Sequence, residues 1–469
     1  MRLWNLLCAS LTWLVMAPGC GEVEAPPVEA PVTAVSEASL GGLPEGAFEE
    51  GLAARGVERT ALFGDVARYR FRVRVGATEH DAITLYRVVR EDAPGRPARS
   101  SRAVFMVHGD GWGFEAAFLS SVGSAHVPVD HSLAAFLAKE GVDVWGIDLR
   151  WVGVPGDTTD FSFMRDWTLG THVRDVGTGL ELARRVRAAT GSARGSMHLL
   201  GWSRGATVGY AYVGAESQRP RGLRRVDGFI PIDMVVSYAP EDAAQQAQAC
   251  LRYEVLKQAR QEGRLEGGLL GAAPGRTLQL LGQLAATAPE GASPLLPEDI
   301  FGPGTGRPTN RQATLFAAAA TGALLAPLPP ITPGYHLMAG VLAPSGLPSG
   351  LAFTRERYVF EYAQRAAPFQ SFNEVVETEA WACSGDNVPY DDHLEDVTVP
   401  VLYVGAAGGV GRYGEHGLTL LGSQDATSLV VRTRVEAERA LDYGHADLFL
   451  ADDARERVWM PLLQWVRRH

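Results

Sequence analysis

Short apolar stretches alternate with amphipathic segments in the first half of the chain. Residues 67–75 alternate apolar and polar side chains with a period of two, and residues 82–89 follow as a second strand, so the pattern predicts an antiparallel hairpin. The elements predicted after the hairpin are strands at 103–107, 142–147, 197–200 and 227–232 and helices at 133–139, 173–189 and 206–215. Buried strands that alternate with helices are typical of an α/β fold, in which helices cover both faces of a mostly parallel sheet.

The pattern changes between residues 238 and 390, where Gln, Ala, Leu, Gly and Pro predominate. The elements predicted from there onward are helices at 243–261 and 311–325, strands at 399–405 and 428–432, and a closing amphipathic helix at 454–466. The chain is therefore predicted to have a core formed by residues 51–237 and 391–469. A large, mainly helical insertion, residues 238–390, is expected to form a cap over it.

The first twenty residues have the pattern of an export signal. A positive start at Met1-Arg2 precedes a short, interrupted apolar stretch, which is shorter than a membrane span requires. Small residues at 17–19 precede Cys20 and resemble a bacterial lipoprotein processing site, although Ala17 stands where Leu is usual. We expect a cell-envelope lipoprotein of the outer membrane or periplasm, anchored only through lipid on Cys20. An ordinary secretory signal, with a secreted product, is the alternative.

Residues 21–50 are rich in Pro, Ala and Glu and lack helical or strand periodicity, which predicts an extended linker. Beyond it the chain has two cysteines, Cys250 and Cys383. Two cysteines in an oxidising compartment suggest a disulfide, and two buried free thiols are the alternative. No cysteine or histidine spacing predicts a metal site.

Composition narrows the class of protein. The 469 residues are 46% hydrophobic and 21% charged, as in a globular protein rather than a disordered one. The net charge of −11 argues against general nucleic-acid binding. Nothing in the sequence indicates an oligomeric state.

Three motifs lie where the predicted strands end. Ser203 stands in Gly201-Trp202-Ser203-Arg204-Gly205, between an apolar strand and a small-residue helix. The bare Gly-x-Ser-x-Gly string is expected about 0.3 times by chance in so glycine-rich a chain, so its strand-to-helix context carries the argument. His445 follows the last predicted strand. His108-Gly109-Asp110-Gly111 ends an earlier strand, where backbone N–H groups can point at an oxyanion.

In these motifs and in its order of strands the chain resembles the α/β-hydrolase family over residues 60–237 and 391–469. The resemblance implies that Ser203 is a nucleophile and His445 its general base. Gly201 and Gly205 would permit the tight elbow around the nucleophile. The N–H of Arg204 and that of Asp110 or Gly111 would bind the oxyanion. No metal or organic cofactor is expected.

The third member of the triad is where the sequence departs from the commonest pattern of the family. That pattern puts an Asp or Glu just beyond the strand at 401–405, but the loop 406–412 has no carboxylate. Asp233, at the end of the strand after the nucleophile helix, is the favoured acid, since some lipases of the family use that position. Glu415 is the alternative.

The expected activity is hydrolysis of a small-molecule carboxylic ester through an acyl-enzyme, and the large cap mildly favours an apolar ester. Two other functions stay open. One is a peptidase or amidase on the same fold. The other is a non-catalytic surface-binding lipoprotein with a degenerate triad, since fold alone does not establish activity.

Overall fold

A computed structural model describes residues 56–193, 195–269, 271, 273–325 and 328–469. The predicted export signal, Cys20, the predicted linker 21–50 and the first five residues of the predicted core lie outside the described residues. The remaining elements can be compared with the sequence pattern.

One ten-stranded sheet forms the centre of the molecule, in the order β1-β2-β3-β6-β5-β7-β8-β11-β12, with the short β4 paired to β3. Its strands are β1 (Val57–Phe63), β2 (Val66–Arg74), β3 (Ala82–Ala93), β4 (Arg96–Pro97), β5 (Ala103–Val107), β6 (Asp143–Asp148), β7 (Met197–Trp202), β8 (Val226–Ile232), β11 (Val401–Ala406) and β12 (Ala426–Val431). The first three strands are antiparallel, and β3 pairs antiparallel with β6. The six strands from β6 to β12 in this order are parallel.

The helices before the insertion are α1 (Phe114–Phe118), α2 (Leu133–Lys139), α3 (Leu169–Ala189) and α4 (Arg204–Ser217). Those between β8 and β11 are α5 (Ala243–Gln261), α6 (Pro274–Thr287), α7 (Asn310–Ala319), α8 (Thr321–Leu324), α9 (Glu356–Gln364) and α10 (Phe372–Cys383). The remaining helices are α11 (His416–Thr419), α12 (Asp447–Leu450) and α13 (Met460–Arg468), the last preceded by a π-helical turn at Arg455–Trp459.

Two apolar layers enclose the parallel strands. Along β5, Val104 and Met106 face one layer and Phe105 and Val107 face the other, because successive side chains of a strand point to opposite faces. The first layer packs against α1, α2 and α13, and the second against α3 and α4. This is the predicted mostly parallel sheet sandwiched by helices.

The segment between β8 and β11 is mainly helical and also contains a small antiparallel hairpin of β9 (Gly340–Leu342) and β10 (Pro348–Leu351). A disulfide joins Cys250 of α5 to Cys383 of α10, so the two thiols are bridged rather than free. The helix predicted at 311–325 is broken in two, because Ala320 leaves the helical conformation at φ −123° and ψ 36°.

Candidate active site

Ser203 lies at a sharp turn between β7 and α4. Its φ of 55° and ψ of −131° place a non-glycine residue in a strained backbone conformation, of a kind that persists where the surroundings enforce it. The surroundings include Ile232 of β8, whose carbonyl accepts a hydrogen bond of 2.9 Å from the Ser203 N–H. The turn therefore presents the hydroxyl at the carboxyl ends of the parallel strands, next to the N-terminus of α4.

Glycines make room for this turn. A Cβ atom at Gly201 would lie 2.3 Å from the carbonyl oxygen of Gly205, and one at Gly205 would lie 2.3 Å from that of Val107. A Cβ atom at Gly109 would lie 2.6 Å from the Cβ of Ser203. All three contacts are shorter than carbon and oxygen atoms tolerate, so side chains are excluded from these positions.

Asp233 contacts His445 directly. Its carboxylate is fully buried, and Oδ2 accepts a hydrogen bond of 2.6 Å from Nδ1 of His445. Oδ1 accepts hydrogen bonds from the backbone N–H groups of Ala406 at 2.8 Å and Gly411 at 2.9 Å. Oδ2 accepts another from the N–H of Val410 at 3.1 Å. The glycine-rich loop that lacks a carboxylate of its own thus binds the carboxylate of Asp233.

Glu415 occupies a different position. It ends a 3₁₀ turn that follows β11, and its carboxylate accepts a hydrogen bond from the hydroxyl of Ser428 on β12. The imidazole of His445 is paired with Asp233 instead. The geometry therefore favours Asp233 over Glu415 as the partner of the histidine.

The His445 loop is held in place from several sides. The imidazole is buried, and it stacks on Trp202 with ring centroids 5.0 Å apart. The ring of Tyr335 contacts it at a tilt of 50°, with centroids 5.6 Å apart. Asp447 accepts hydrogen bonds from the N–H of Gly444 and from two residues of the insertion, at 2.7–2.8 Å. Burial raises the pKa of Asp447 to about 6, although these hydrogen bonds oppose the shift. Part of the insertion thus anchors the loop that carries the histidine.

The side chain of Arg204 has a partner that the sequence did not reveal. Its buried guanidinium forms two parallel hydrogen bonds to the carboxylate of Asp110, at 2.6 Å and 2.7 Å, and Gln370 of the insertion donates to the same carboxylate. Burial alone would lower the pKa of Arg204, but the Asp110 carboxylate outweighs it and raises the pKa above its usual value. The pair fixes the loop after β5 to the first turn of α4.

The expected oxyanion donors lie on these two fixed elements. Arg204 is the first residue of α4, so its N–H has no partner within the helix. The loop after β5 carries Asp110 and Gly111, and the carbonyl of Gly111 accepts a hydrogen bond of 2.7 Å from the N–H of Ala367. Backbone N–H groups held at a helix start and a rigid turn are suited to bind a developing negative charge.

One cavity contains the predicted site residues. Its empty space, including the open mouth, is about 980 Å³. The residues predicted from the sequence that line it are Ser203, His445, Asp233, Arg204, Asp110 and Gly111. Most of the remaining lining residues belong to the insertion, and several of these are apolar, among them Leu278, Leu325 and Ile331. A largely apolar cavity with a few converging polar groups is the usual form of a small-molecule site.

The imidazole of His108, directly after β5, makes two contacts with backbone atoms near the site. Its Nδ1 lies 2.9 Å from the carbonyl oxygen of Gly109, and its Nε2 accepts the N–H of Leu149 at 3.1 Å. Burial lowers the pKa of His108 to about 4, so the ring is neutral at neutral pH. In a protonated ring, Nε2 would carry a hydrogen that faces the N–H of Leu149, so two donors would meet. The contact therefore requires the neutral ring.

Comparison with solved structures identifies the fold. A candidate lipase from Sulfolobus solfataricus is similar over 88% of this chain and 99% of its own, at 15% sequence identity and a TM-score of 0.57. A monoglyceride lipase from Saccharomyces cerevisiae is similar over 88% of this chain and 94% of its own, at 12% identity and a TM-score of 0.41. The chain has the α/β-hydrolase fold, with a helical insertion between β8 and β11.

No protein-family model and no curated protein sequence matches the chain. Within the described ranges, no helix is both long and apolar enough to cross a membrane. The same ranges contain no cluster of His, Cys, Asp and Glu residues suited to a metal ion.

Proposed function

We propose that the protein is a serine hydrolase that cleaves a carboxylic ester of a small molecule. The observation that carries the proposal is the buried contact between Asp233 and His445 in the same cavity as Ser203, which stands on a strained strand-to-helix turn. Buried carboxylates and strained residues cost free energy, and both cluster at active sites.

The proposed chemistry gives each of these groups one role. His445 accepts the proton of Ser203 while the hydroxyl oxygen attacks the acyl carbon, and it then returns the proton to the leaving alcohol. Asp233 holds Nδ1 of the imidazole as the donor, which leaves Nε2 free to accept the serine proton. The N–H of Arg204 and a second one from Asp110 or Gly111 stabilise the oxyanion. Water then releases the acyl group by the same steps.

The hypothesis of a non-catalytic binding protein rested on the missing carboxylate after β11. Asp233, directly after β8, supplies a carboxylate to the histidine instead, so that argument for the hypothesis is gone. Amide hydrolysis remains an outcome of the test, because it uses the same groups. Export and anchoring through Cys20 remain predictions from the sequence.

Labelling with a fluorophosphonate, followed by intact mass, tests the proposal. We expect one adduct on the wild type, none on Ser203→Ala, and one on the control Ser345→Ala, which changes an exposed serine. A folded wild type that neither reacts nor hydrolyses p-nitrophenyl esters would refute the proposal. Matched ester and amide substrates then separate esterase from amidase, and a higher kcat/KM for the amide would favour the amidase.

A further inference from the structure

A second buried ion pair lies in the wall of the same cavity. Arg252 of α5 and Glu379 of α10 both line the cavity, and they are 2% and 5% exposed. Nε of Arg252 donates to Oε2 of Glu379 at 2.9 Å, and Nη1 donates to the carbonyl oxygen of Pro330 at 2.6 Å. The proposed reaction of Ser203 uses neither residue.

The pair is held rigidly by the disulfide. Cys250 stands two residues before Arg252 on α5, and Cys383 stands four residues, about one helical turn, after Glu379 on α10. The bridge between the two cysteines therefore fixes the two helices next to the pair, with the cysteine Cα atoms 4.5 Å apart. A site that is rigid before binding loses less entropy when a ligand binds.

One oxygen of the pair is open to a ligand. In the part of the chain that the structure describes, Oε1 of Glu379 accepts no hydrogen bond, whereas Oε2 is bound to Arg252. The charge of Glu379 also acts on Arg204, another charged residue of the cavity wall. Burial alone would lower the pKa of Arg204, and the carboxylate of Glu379, after those of Asp110 and Glu374, is among the charges that raise it.

These features define the chemistry of a matching ligand. An alkyl chain laid over Glu379 would bury an acceptor without a partner, which is unfavourable. Because the pair as a whole is neutral, it offers a charged ligand group no net counter-charge to offset the hydration that the group loses in the cavity. An uncharged donor, such as a hydroxyl or a carboxamide N–H, avoids both costs.

We propose that the Arg252–Glu379 pair is a specificity site for an uncharged hydrogen-bond donor, a hydroxyl or carboxamide, on the substrate cleaved at Ser203. The inference rests on the proposed esterase function. It narrows the substrate from a simple alkyl ester to one with a polar group remote from the scissile bond. The apolar wall of the cavity contacts the carbon chain between the polar group and the scissile bond.

A matched set of substrates tests this site. p-Nitrophenyl esters of eight-carbon acids that carry a methyl end, a terminal or mid-chain hydroxyl, a terminal carboxamide, or a terminal carboxylate differ only in the remote group. We expect the best hydroxyl or carboxamide ester to exceed the methyl-ended ester in kcat/KM by about tenfold, equivalent to about 1.4 kcal/mol. The carboxylate-ended ester should be the poorest substrate.

Variants then assign the preference to the pair. Arg252→Met/Glu379→Leu removes both charges at similar volume, which avoids leaving one buried charge alone. It should abolish the preference, so that the hydroxyl and carboxamide esters are cleaved no better than the methyl-ended ester. The control Lys257→Met/Asp386→Asn removes an exposed ion pair of 3.1 Å that joins the same part of the insertion, and it should keep the preference.

The outcomes separate this inference from the proposed function. If the wild type cleaves all the esters through Ser203 without preferring the polar ones, the specificity site is refuted and the esterase stands. A preference that survives in the double variant also refutes the site. If no ester is cleaved and Ser203 does not react with the fluorophosphonate, the proposed function itself fails.

Discussion

Replacing Asp233 by Asn tests the assignment of the acid at the level of single hydrogen bonds. The carboxylate accepts four hydrogen bonds, from the N–H groups of Ala406, Gly411 and Val410 and from Nδ1 of His445. An amide has one acceptor oxygen, which can keep the Ala406 and Gly411 bonds. Its NH₂ group then faces the other two donors.

The effects of Asp233→Asn on turnover and on the free energy of unfolding can both be given a magnitude. The imidazole is driven to the tautomer that protonates Nε2, so it cannot accept the proton of Ser203, and turnover should fall about 10⁴-fold. That factor corresponds to about 5 kcal/mol in the activation barrier. The N–H of Val410 is left buried without an acceptor, which should lower the free energy of unfolding by about 1–3 kcal/mol.

The assay measures the two effects separately. The second-order rate of fluorophosphonate labelling reports the reactivity of Ser203, and urea unfolding reports stability. Glu415→Gln is the matched control, because it changes the alternative acid, and it should label at nearly the wild-type rate. A labelling rate for Asp233→Asn within about tenfold of wild type, or an equally large loss in Glu415→Gln, would overturn the assignment.

Three further predictions concern the surroundings of the site. Since burial holds the pKa of His108 at about 4 in the folded chain, against about 6.5 when unfolded, the unfolded state binds the extra proton below pH 6.5. Stability should therefore fall by up to about 3 kcal/mol as the pH drops from 6.5 to 4, and urea titrations of His108→Gln should lack that part of the loss. Cys250→Ala/Cys383→Ala should lower the unfolding free energy by about 2–5 kcal/mol, since the bridge spans 133 residues; an unchanged urea midpoint would contradict this. Arg204→Lys keeps the charge but not the double hydrogen bond to the loop after β5, so kcat for a p-nitrophenyl ester should drop about tenfold or more with little change in KM.

The central parallel strands could be predicted from the sequence because they are buried on both faces. Strands β5, β7 and β8 are mostly apolar, and an apolar run is recognisable in a sequence without knowledge of the neighbouring strands. Strand β1 was missed, since its side chains are only partly buried and give no clear alternation.

The helices of the insertion were harder to predict, because packing overrides their local preferences. Helix α6 contains Gly275 and Gly282, which lower helix propensity. A Cβ atom at Gly275 would lie 1.6 Å from the carbonyl oxygen of Ala367, so the close approach of the chain, and not propensity, dictates the residue. A contact of this kind has no signal in a sequence read without the fold.

Part of the candidate site could be predicted from the sequence, and part could not. The elbow and the histidine follow strand ends, so the sequence placed them, and the absence of a carboxylate in residues 406–412 reduced the acid to two candidates. The Arg204–Asp110 and Arg252–Glu379 pairs join residues 94 and 127 positions apart. Neither has a spacing or motif that a helix or strand pattern could reveal.

The loop after β11 also restricts how this active site can change over evolution. A Cβ atom at Gly409 would lie 2.1 Å from Oδ2 of Asp233, so the carboxylate already fills the space that a side chain at this position would need. A side chain at position 409 and the carboxylate of Asp233 therefore exclude one another in a single chain. A lineage could not acquire an acid at position 409 first and discard Asp233 later. Any exchange of the one for the other would have to pass through an ancestor that had neither carboxylate.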